Sequence, residues 1–201
     1  MSMMISKRLQ RVVLVRHGET EGESSIRFHG ANDVPLSDEG RDQARAAART
    51  IGDIDFDVHL ASSLSRASES ARIIRPDRTI ELDGDLREID FGRWEGLTRE
   101  EIRARDPELE AAWTRDSWGF DFPDGEQRAD FRQRVDRALA RAFNRDAASL
   151  LLVAHKGVVR RGVEILTGEA PLAPHPELGE VFFLDRALER AGPRFSRRQT
   201  G

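Results

Sequence analysis

Two short apolar runs are the strongest features of the hydrophobic pattern along the chain. Residues 11–15 read RVVLV, and residues 149–154 read SLLLVA. Continuous apolar runs of this length are typical of strands that are buried on both faces of a parallel sheet. Weaker strand patterns lie at residues 57–61, 79–82 and 181–185. The pattern therefore predicts five strands spread along the chain.

Stretches with helical character separate these strands. Ser37 is a suitable N-cap for a helix over residues 38–50. Thr98 and Glu101 have the spacing of a capping box, which predicts a short helix ending at residue 105. The remaining predicted helices run from about residue 66 to 75, over residues 126–144 and over residues 157–167.

Polar and irregular segments connect the predicted elements. Residues 19–35 form a long loop, and long loops in compact domains are often functional. Residues 86–96 have no regular period. Residues 106–125 contain two prolines, two glycines and four aromatic residues, which predicts a loop or a partial lid. Residues 1–8 and 191–201 are expected to be frayed tails.

The order of these elements predicts an α/β fold with a mostly parallel sheet, because strands and helices alternate. No repeats or linkers divide the chain, so residues 1–201 are expected to form one domain. In such sheets ligands bind beyond the carboxyl ends of the strands. The two strong strands both end in a histidine, His17 and His155. If these strands are neighbours, both imidazoles lie at one edge of the sheet.

Composition and charge narrow the class of protein. The 201 residues include 32 basic and 36 acidic side chains, for a formal net charge of -4. A nucleic-acid-binding protein should instead show a basic excess. The chain has no cysteine, which excludes disulfides, zinc–thiolate sites and a cysteine nucleophile. With no signal-like N-terminus and no apolar run near ~20 residues, we expect a cytoplasmic protein that contacts neither membrane nor nucleic acid.

Arginines accompany both histidines and point to phosphate chemistry. Arg16 directly precedes His17, and Arg66 follows another predicted strand. A guanidinium matches phosphate oxygens with two parallel hydrogen bonds, so two arginines and two histidines at one edge can clamp a phosphoryl group. Taken alone, each histidine is also compatible with a structural role. The five histidines show no HExxH or other compact metal-ligand spacing, and we expect no metal or other cofactor.

Several segments, in chain order, resemble the signatures of the histidine phosphatase superfamily, also called the phosphoglycerate mutase-like family. The resemblance extends from about residue 11 to about residue 165 and implies a three-layer α/β/α fold. The segments are LVRHGET (Leu14–Thr20), VPLSDEG (Val34–Gly40), SSLSRA (Ser62–Ala67), LREIDFGRWEG (Leu86–Gly96) and LVAHKG (Leu152–Gly157).

The resemblance implies roles for five residues. His17 would attack phosphorus and form a phosphohistidine, which requires a neutral imidazole. Arg16, Arg66 and His155 would surround the phosphoryl oxygens and stabilise the charge of the transition state. Glu88 would protonate the leaving oxygen and later accept a proton from water. The role of Glu88 depends on the resemblance alone, since nothing else distinguishes it from a surface carboxylate.

The chain departs from the family pattern beside the phosphate. Glu23 occupies the place of an asparagine that contacts phosphate in many relatives, and a carboxylate there would be repulsive. Either Ser24 or Ser25 then makes this contact, or the loop follows another path. Arg27 is a further candidate, with a solvated arginine as the equal alternative. Lys156 replaces a usual glycine and would add positive charge or remain solvated.

Gly157 completes the candidate phosphate-binding residues. Another departure, residues 123–127, is expected to alter the shape of the pocket and leave the chemistry unchanged. Residues 19–30 and 106–125 should determine the substrate. Four aromatic residues of the second segment could line a ligand or belong to the core, and we favour the core for at least two of them: Trp113, Trp118, Phe120 and Phe122.

Three functions fit the resemblance. Hydrolysis of a small-molecule phosphate monoester is favoured, because a short chain without an insertion after Glu88 resembles the small phosphatase branch. The alternatives are phosphoglycerate mutase activity and a non-catalytic phosphate-binding protein. The presence of every expected catalytic residue argues against the last alternative. A homodimer is expected from the family only.

Overall fold

The computed structural model describes residues 5–23, 25–169, 175–187 and 194–197. Within these residues, six strands form one sheet. The strands are β1 (Arg11–Arg16), β2 (Val58–Ser62), β3 (Glu81–Asp83), β4 (Ser149–Ala154), β5 (Val181–Ala187) and β6 (Arg194–Arg197). Their order in the sheet is β3-β2-β4-β1-β5-β6.

Helices connect the strands and cover the sheet. They are α1 (Asp38–Ile51), α2 (Ser65–Ile74), α3 (Arg99–Arg105), α4 (Pro107–Arg115), α5 (Arg128–Phe143) and α6 (Lys156–Thr167), with two short 3-10 turns at Gly84–Leu86 and Gly92–Trp94. Among the residues described, no helix is both long enough and apolar enough to cross a membrane.

Local sequence signals explain where two of these helices begin. The Ser37 hydroxyl accepts a hydrogen bond from the backbone N–H of Gly40, so Ser37 caps α1 as predicted. Thr98 and Glu101 form a reciprocal capping box at the start of α3. Both helices therefore begin at residues that satisfy their unpaired N–H groups.

The sheet is mostly parallel, as predicted. Strand β4 lies between β1 and β2 and pairs with both in parallel, and β3 extends this parallel set. The two strongest apolar runs, β1 and β4, are therefore neighbours, and their carboxyl ends meet at one edge. Strands β5 and β6 are antiparallel additions beside β1.

Two apolar cores confirm the three-layer α/β/α fold. On one face of β1, Val13 and Val15 pack with residues of α1 and α2 such as Ile51 and Ile74. The intervening residues of β1, such as Leu14, point to the other face and pack with α5 and α6. Strand β1 is thus buried on both faces, which explains why its sequence is apolar without alternation.

The structure corrects the predicted chain ends. The sequence predicts a frayed tail from residue 191, yet Arg194–Arg197 pairs with β5 as the edge strand β6. At the other end, Ile5 packs against the core and the N–H of Ser6 donates to the carbonyl of Phe143. Backbone pairing holds both segments, although their composition is not that of a buried element. The remaining predicted tail residues, 1–4, 191–193 and 198–201, lie outside the described residues.

The prediction of a loop or partial lid over residues 106–125 is wrong for its first half, which forms helix α4. Pro107 is the first residue of this helix. A proline is well tolerated there, since its missing N–H would have no partner within the helix in any case. Helix α4 packs against α3, and residues 116–127 form the actual connection to α5.

Candidate active site

His17 follows β1 directly, and its backbone remains tied to the sheet. Its N–H donates to the carbonyl of Ala154, the last residue of β4, at 2.9 Å. The ring Nδ1 lies 2.7 Å from the carbonyl oxygen of Gly18. A carbonyl can only accept, so Nδ1 carries the proton and Nε2 keeps the free lone pair. Only 4% of His17 is exposed.

Glycine is required immediately after this histidine. A Cβ atom at Gly18 would lie 2.3 Å from the carbonyl oxygen of Gly40, at the start of α1. In turn, a Cβ atom at Gly40 would collide with the carbonyl oxygen of Glu19. The two glycines let α1 approach the backbone beside His17, which fixes the position of the Gly18 carbonyl.

His155 lies beside His17 at the end of β4. The ring centroids are 5.0 Å apart, with an angle of 61° between the ring planes. The Nε2 atom of His155 lies 2.8 Å from the hydroxyl of Ser62, which ends β2. Its Nδ1 atom is buried and has no hydrogen-bond partner among the described residues. Three neighbouring strands therefore contribute one polar side chain each to the same edge, as predicted for the two histidines.

Both imidazoles are held in the neutral form. Burial lowers the pKa of His17 well below its ordinary value, and the positive charges of Arg66 and Arg16 lower it further. Burial and the charge of Arg66 act in the same direction on the pKa of His155. At neutral pH, His17 therefore has an unprotonated Nε2 available for attack.

Arg16 and Arg66, the two predicted arginines, form different numbers of hydrogen bonds with the protein. The Nη1 of Arg16 donates to the carbonyl of Pro176 at 2.9 Å, and its Nε is buried without a partner among the described residues. Arg66 is fully buried and donates through its Nη atoms to the carbonyls of Asn32, Gly30 and His29. Its Nε, like that of Arg16, has no partner among the described residues. Arg66 thus anchors the loop after β1, while its charge still acts on both histidines.

Glu88 lies in the irregular segment after β3, and two backbone N–H groups hold its carboxylate. One carboxylate oxygen accepts from its neighbour, the N–H of Ile89, at 3.1 Å, and the other accepts from the N–H of Gly157 at 3.0 Å. A Cβ atom at Gly157 would lie 2.6 Å from the Glu88 carboxylate and 2.9 Å from the ring of Phe131. Gly157 therefore holds Glu88, which assigns it a positioning role in place of the predicted phosphate contact.

A cavity of about 440 Å³ opens over these residues. Arg16, His17 and Glu88 line it, whereas Arg66 and His155 are not among the described residues of its lining. Of the residues that the structure describes, six cationic side chains and two carboxylates line the cavity. The cations are Arg16, Arg27, Arg99, Arg128, Lys156 and Arg160, and the carboxylates are Glu88 and Glu100. The cavity is thus strongly positive and suits an anionic ligand.

The predicted repulsion at Glu23 does not arise. Its backbone adopts a positive φ of 63°, and its exposed carboxylate lies 3.7 Å from Arg27. Arg27 also donates to Glu101 and to the carbonyl of Gly96, both at 2.8 Å, so it is bound at the cavity rim. Ser24 lies outside the described residues, and Ser25 lines the cavity. The loop therefore takes another path, and Ser25 and Lys156 line the cavity, whereas Arg27 is held by Glu101.

The four aromatic residues divide between core and cavity. Phe122 is buried, and Phe120 stacks on the buried ring of Trp94 at 5.3 Å. Trp113 packs at the edge of the same cluster. Trp118 instead lines the cavity, as do Trp113 and Phe122. The prediction that at least two of them belong to the core is therefore correct, and the cavity also has an apolar wall.

Sequence reasoning missed several residues that line the cavity or contact its histidines. Ser62 lies within a recognised segment but received no role of its own. Arg160 follows Lys156 by one helical turn of α6, and this i, i+4 spacing was a usable signal. Arg128 and His175 have no such signal, because they reach the cavity from distant parts of the chain.

Comparison with known proteins agrees with this geometry. A solved alpha-ribazole phosphatase from Shigella flexneri superposes with a TM-score of 0.79, at 28% identity over 93% of this chain and 95% of that one. A mycobacterial glucosyl-3-phosphoglycerate phosphatase superposes with a TM-score of 0.75, at 28% identity over 94% of this chain and 96% of that one. These two known structures therefore share the fold over 93% and 94% of this chain.

Sequence comparison gives the same grouping. The adenosylcobalamin/alpha-ribazole phosphatase of Escherichia coli is 33% identical over 162 residues, which cover 79% of each chain. The glucosyl-3-phosphoglycerate phosphatase of Mycolicibacterium vanbaalenii is 34% identical over 86% of this chain and 80% of its own. The sequence profile of the histidine phosphatase superfamily (branch 1) matches residues 12–178. The chain therefore belongs to the histidine phosphatase superfamily, branch 1.

Proposed function

We propose that this protein hydrolyses a small-molecule phosphate monoester, without a metal ion, through a phosphohistidine formed on His17. One observation carries the proposal. His17 has a neutral ring whose proton is held on Nδ1 by the Gly18 carbonyl, and it lies in a cationic cavity with Glu88. The relatives named above are all phosphatases by name, which supports hydrolysis over phosphoryl transfer between phosphoglycerates.

The first step transfers the phosphoryl group to the protein. The Nε2 lone pair of His17 attacks phosphorus while the bond from phosphorus to the ester oxygen breaks. Protonated Glu88 gives its proton to the departing oxygen, so an alcohol leaves. The Nε atoms of Arg16 and Arg66 and the Nδ1 atom of His155 have no hydrogen-bond partner among the described residues, so these are the available groups for stabilising the charge on the phosphoryl oxygens.

The second step returns the protein to its starting state. Water attacks the phosphohistidine, and ionised Glu88 accepts a proton from this water. The bond from nitrogen to phosphorus breaks, inorganic phosphate leaves, and Nε2 regains its lone pair. Atoms and charge balance over the two steps, since Glu88 and His17 end as they began.

The test is hydrolysis of p-nitrophenyl phosphate by the wild type and by His17→Ala, in the presence of EDTA. We expect wild-type activity to persist in EDTA and the variant to lose about 10⁴-fold or more, as when a covalent nucleophile is removed. His59→Gln is a matched control, because His59 is also a buried histidine but lies on β2 against Phe56. We expect it to retain activity.

Trapping the intermediate distinguishes this route from direct attack by water. Wild-type protein quenched under alkaline conditions during turnover of a labelled ester should carry label, and His17→Ala should carry none. Activity that EDTA abolishes, or that His17→Ala retains, would contradict the proposal. Release of the phosphoryl group only to a phosphoglycerate acceptor would instead support a mutase.

A further inference from the structure

Arg160 is a buried cation that the phosphoryl-transfer chemistry above does not use. It lies on α6, is 7% exposed and lines the cavity. Its Nη1 lies 2.6 Å from Nδ1 of His175, and its guanidinium carbon lies 3.8 Å from the ring centroid of Trp118. Its Nε is buried and has no hydrogen-bond partner within the described residues. The side chain is therefore held firmly while one donor remains unused.

Arg128, the first residue of α5, is a second arginine of the cavity lining that is held by its neighbours and keeps an unused donor. Its Nη2 donates to the carbonyl of Ser117 at 3.0 Å, and its guanidinium lies 5.1 Å from the centroid of the Phe122 ring. Its Nε is likewise buried without a partner in the described chain. Both arginines are thus oriented by an aromatic ring and one neutral acceptor, and each keeps a free donor.

Neither guanidinium forms a direct ion pair with a carboxylate in the part of the chain that the structure describes. The described residues form 18 ion pairs, and none of them includes Arg128, Arg160 or Lys156. Burial lowers the pKa of Arg160 to about 10; the nearby carboxylate of Glu164 acts in the opposite direction, and the charge of Arg128 adds a smaller lowering effect. Desolvated like charges that form no direct ion pair are costly, and an anion bound between them would relieve that cost.

We propose that Arg128 and Arg160, assisted by Lys156, bind a second anionic group of the substrate, while His17 and Glu88 act on the phosphate. The inference rests on the proposed function and narrows its substrate to phosphate monoesters that also carry a carboxylate or another phosphate. Planar guanidinium groups suit the oxygens of either group. Lys156 lies one helical turn before Arg160 and lines the same cavity.

Calorimetry with substrate analogues that cannot be hydrolysed tests the inference. The probes are phosphonates that end in a carboxylate, in a second phosphonate or in a neutral amide, each with two to five methylene groups. At the best length, we expect wild-type protein to bind an acid about 10- to 100-fold more tightly than the amide, as charge-assisted hydrogen bonds allow. The carboxylate and phosphonate series show which anion is preferred.

Variants then locate the subsite. Arg160→Gln and Arg128→Gln should each reduce the ratio of acid to amide affinity about tenfold or more. Arg132→Gln is the matched control, since Arg132 lies on α5 near Trp118 but is not among the described residues that line the cavity. It should keep the wild-type ratio.

Two results would overturn the inference. The first is that the wild type binds the acid and the amide equally tightly at every length. The second is that the two variants weaken the binding of both probes equally, which would place the arginines at the phosphate itself. Hydrolysis of p-nitrophenyl phosphate separates these failures from failure of the proposed function. That ester has no second acid, so its hydrolysis tests His17 chemistry, whereas the phosphonates report binding whether or not the protein is a hydrolase.

Discussion

One hydrogen bond decides the chemistry available to each histidine. The Gly18 carbonyl fixes the proton of His17 on Nδ1, and the Ser62 hydroxyl binds Nε2 of His155. The opposite nitrogen of each ring is therefore the one that remains for a ligand. Burial adds the second condition, because it keeps both rings neutral.

The lowered pKa values predict that acid destabilises the fold. An unfolded imidazole titrates near 6.5, whereas the buried rings bind protons only at lower pH, so falling pH favours the unfolded chain. Between about pH 7.5 and about pH 5.5, each buried ring should remove about 1 kcal/mol from the free energy of unfolding. The stability is present above the unfolded pKa and is lost below it.

Urea denaturation of the wild type and of His155→Gln across this pH range measures the effect. Glutamine can still bond to Ser62, and it does not titrate. On acidification, the free energy of unfolding of the variant should therefore fall by about 1 kcal/mol less than that of the wild type. Equal pH dependence of the two proteins would show that His155 is not held neutral in the folded state.

Single residues also mark the limit of sequence reasoning. His17 and His155 were predictable, because each directly follows a strongly apolar strand. The partners of Arg66 were not, since they are carbonyls of a loop more than 30 positions earlier in the chain. The positive φ of Glu23, which turns its carboxylate to Arg27, has no local signal in the sequence either.

At the scale of elements, Arg134 of α5 holds the irregular segment that carries Glu88. It donates to the carbonyls of Asp85, Arg87 and Glu88 at distances of 2.6 to 3.0 Å. The same guanidinium forms an ion pair with Glu126 at 2.6 Å. The planar guanidinium of arginine presents several N–H donors, which can reach all these acceptors at once. The compact ammonium group of lysine cannot do so.

Arg134→Lys should therefore displace the backbone of Glu88 while keeping the charge. We expect kcat for p-nitrophenyl phosphate to fall about 10- to 100-fold with a smaller change in KM, because the general acid and base is misplaced and the phosphate site is not. Steady-state kinetics well below the unfolding temperature provides the measurement. Exposed Arg137→Lys on the same helix is the control and should retain the wild-type kcat. A rise in KM alone would exclude a positioning role for Arg134.

The elements that sequence predicted well are those whose signal is local. The apolar runs of β1 and β4 and the caps of α1 and α3 are examples, and all four appear as expected. Strand β6 was not predictable in this way, since it is an edge strand held by backbone pairing to β5. Helix α4 was missed because a proline that usually interrupts helices stands at its first position.

At the scale of the whole molecule, the charge of the cavity is opposite in sign to the net charge of the chain. The chain carries a formal net charge of -4, yet the described lining of the cavity has six cations and two carboxylates. A positive cleft in a negative protein attracts anions toward one place on its surface. Salt screens such attraction, with a Debye length of about 10 Å at 0.1 M ionic strength.

We therefore expect kcat/KM for a dianionic phosphate ester to fall about tenfold between about 20 and about 300 mM salt. The two lysines of the chain provide a matched pair of variants. Lys156 lines the cavity after β4, whereas Lys7 precedes β1 and lies exposed at the opposite end of the strands. Lys156→Gln should make the dependence on salt shallower, and Lys7→Gln should leave it unchanged. If both variants had the same effect, net charge alone would control encounter, and the local charge of the cavity would have no part in it.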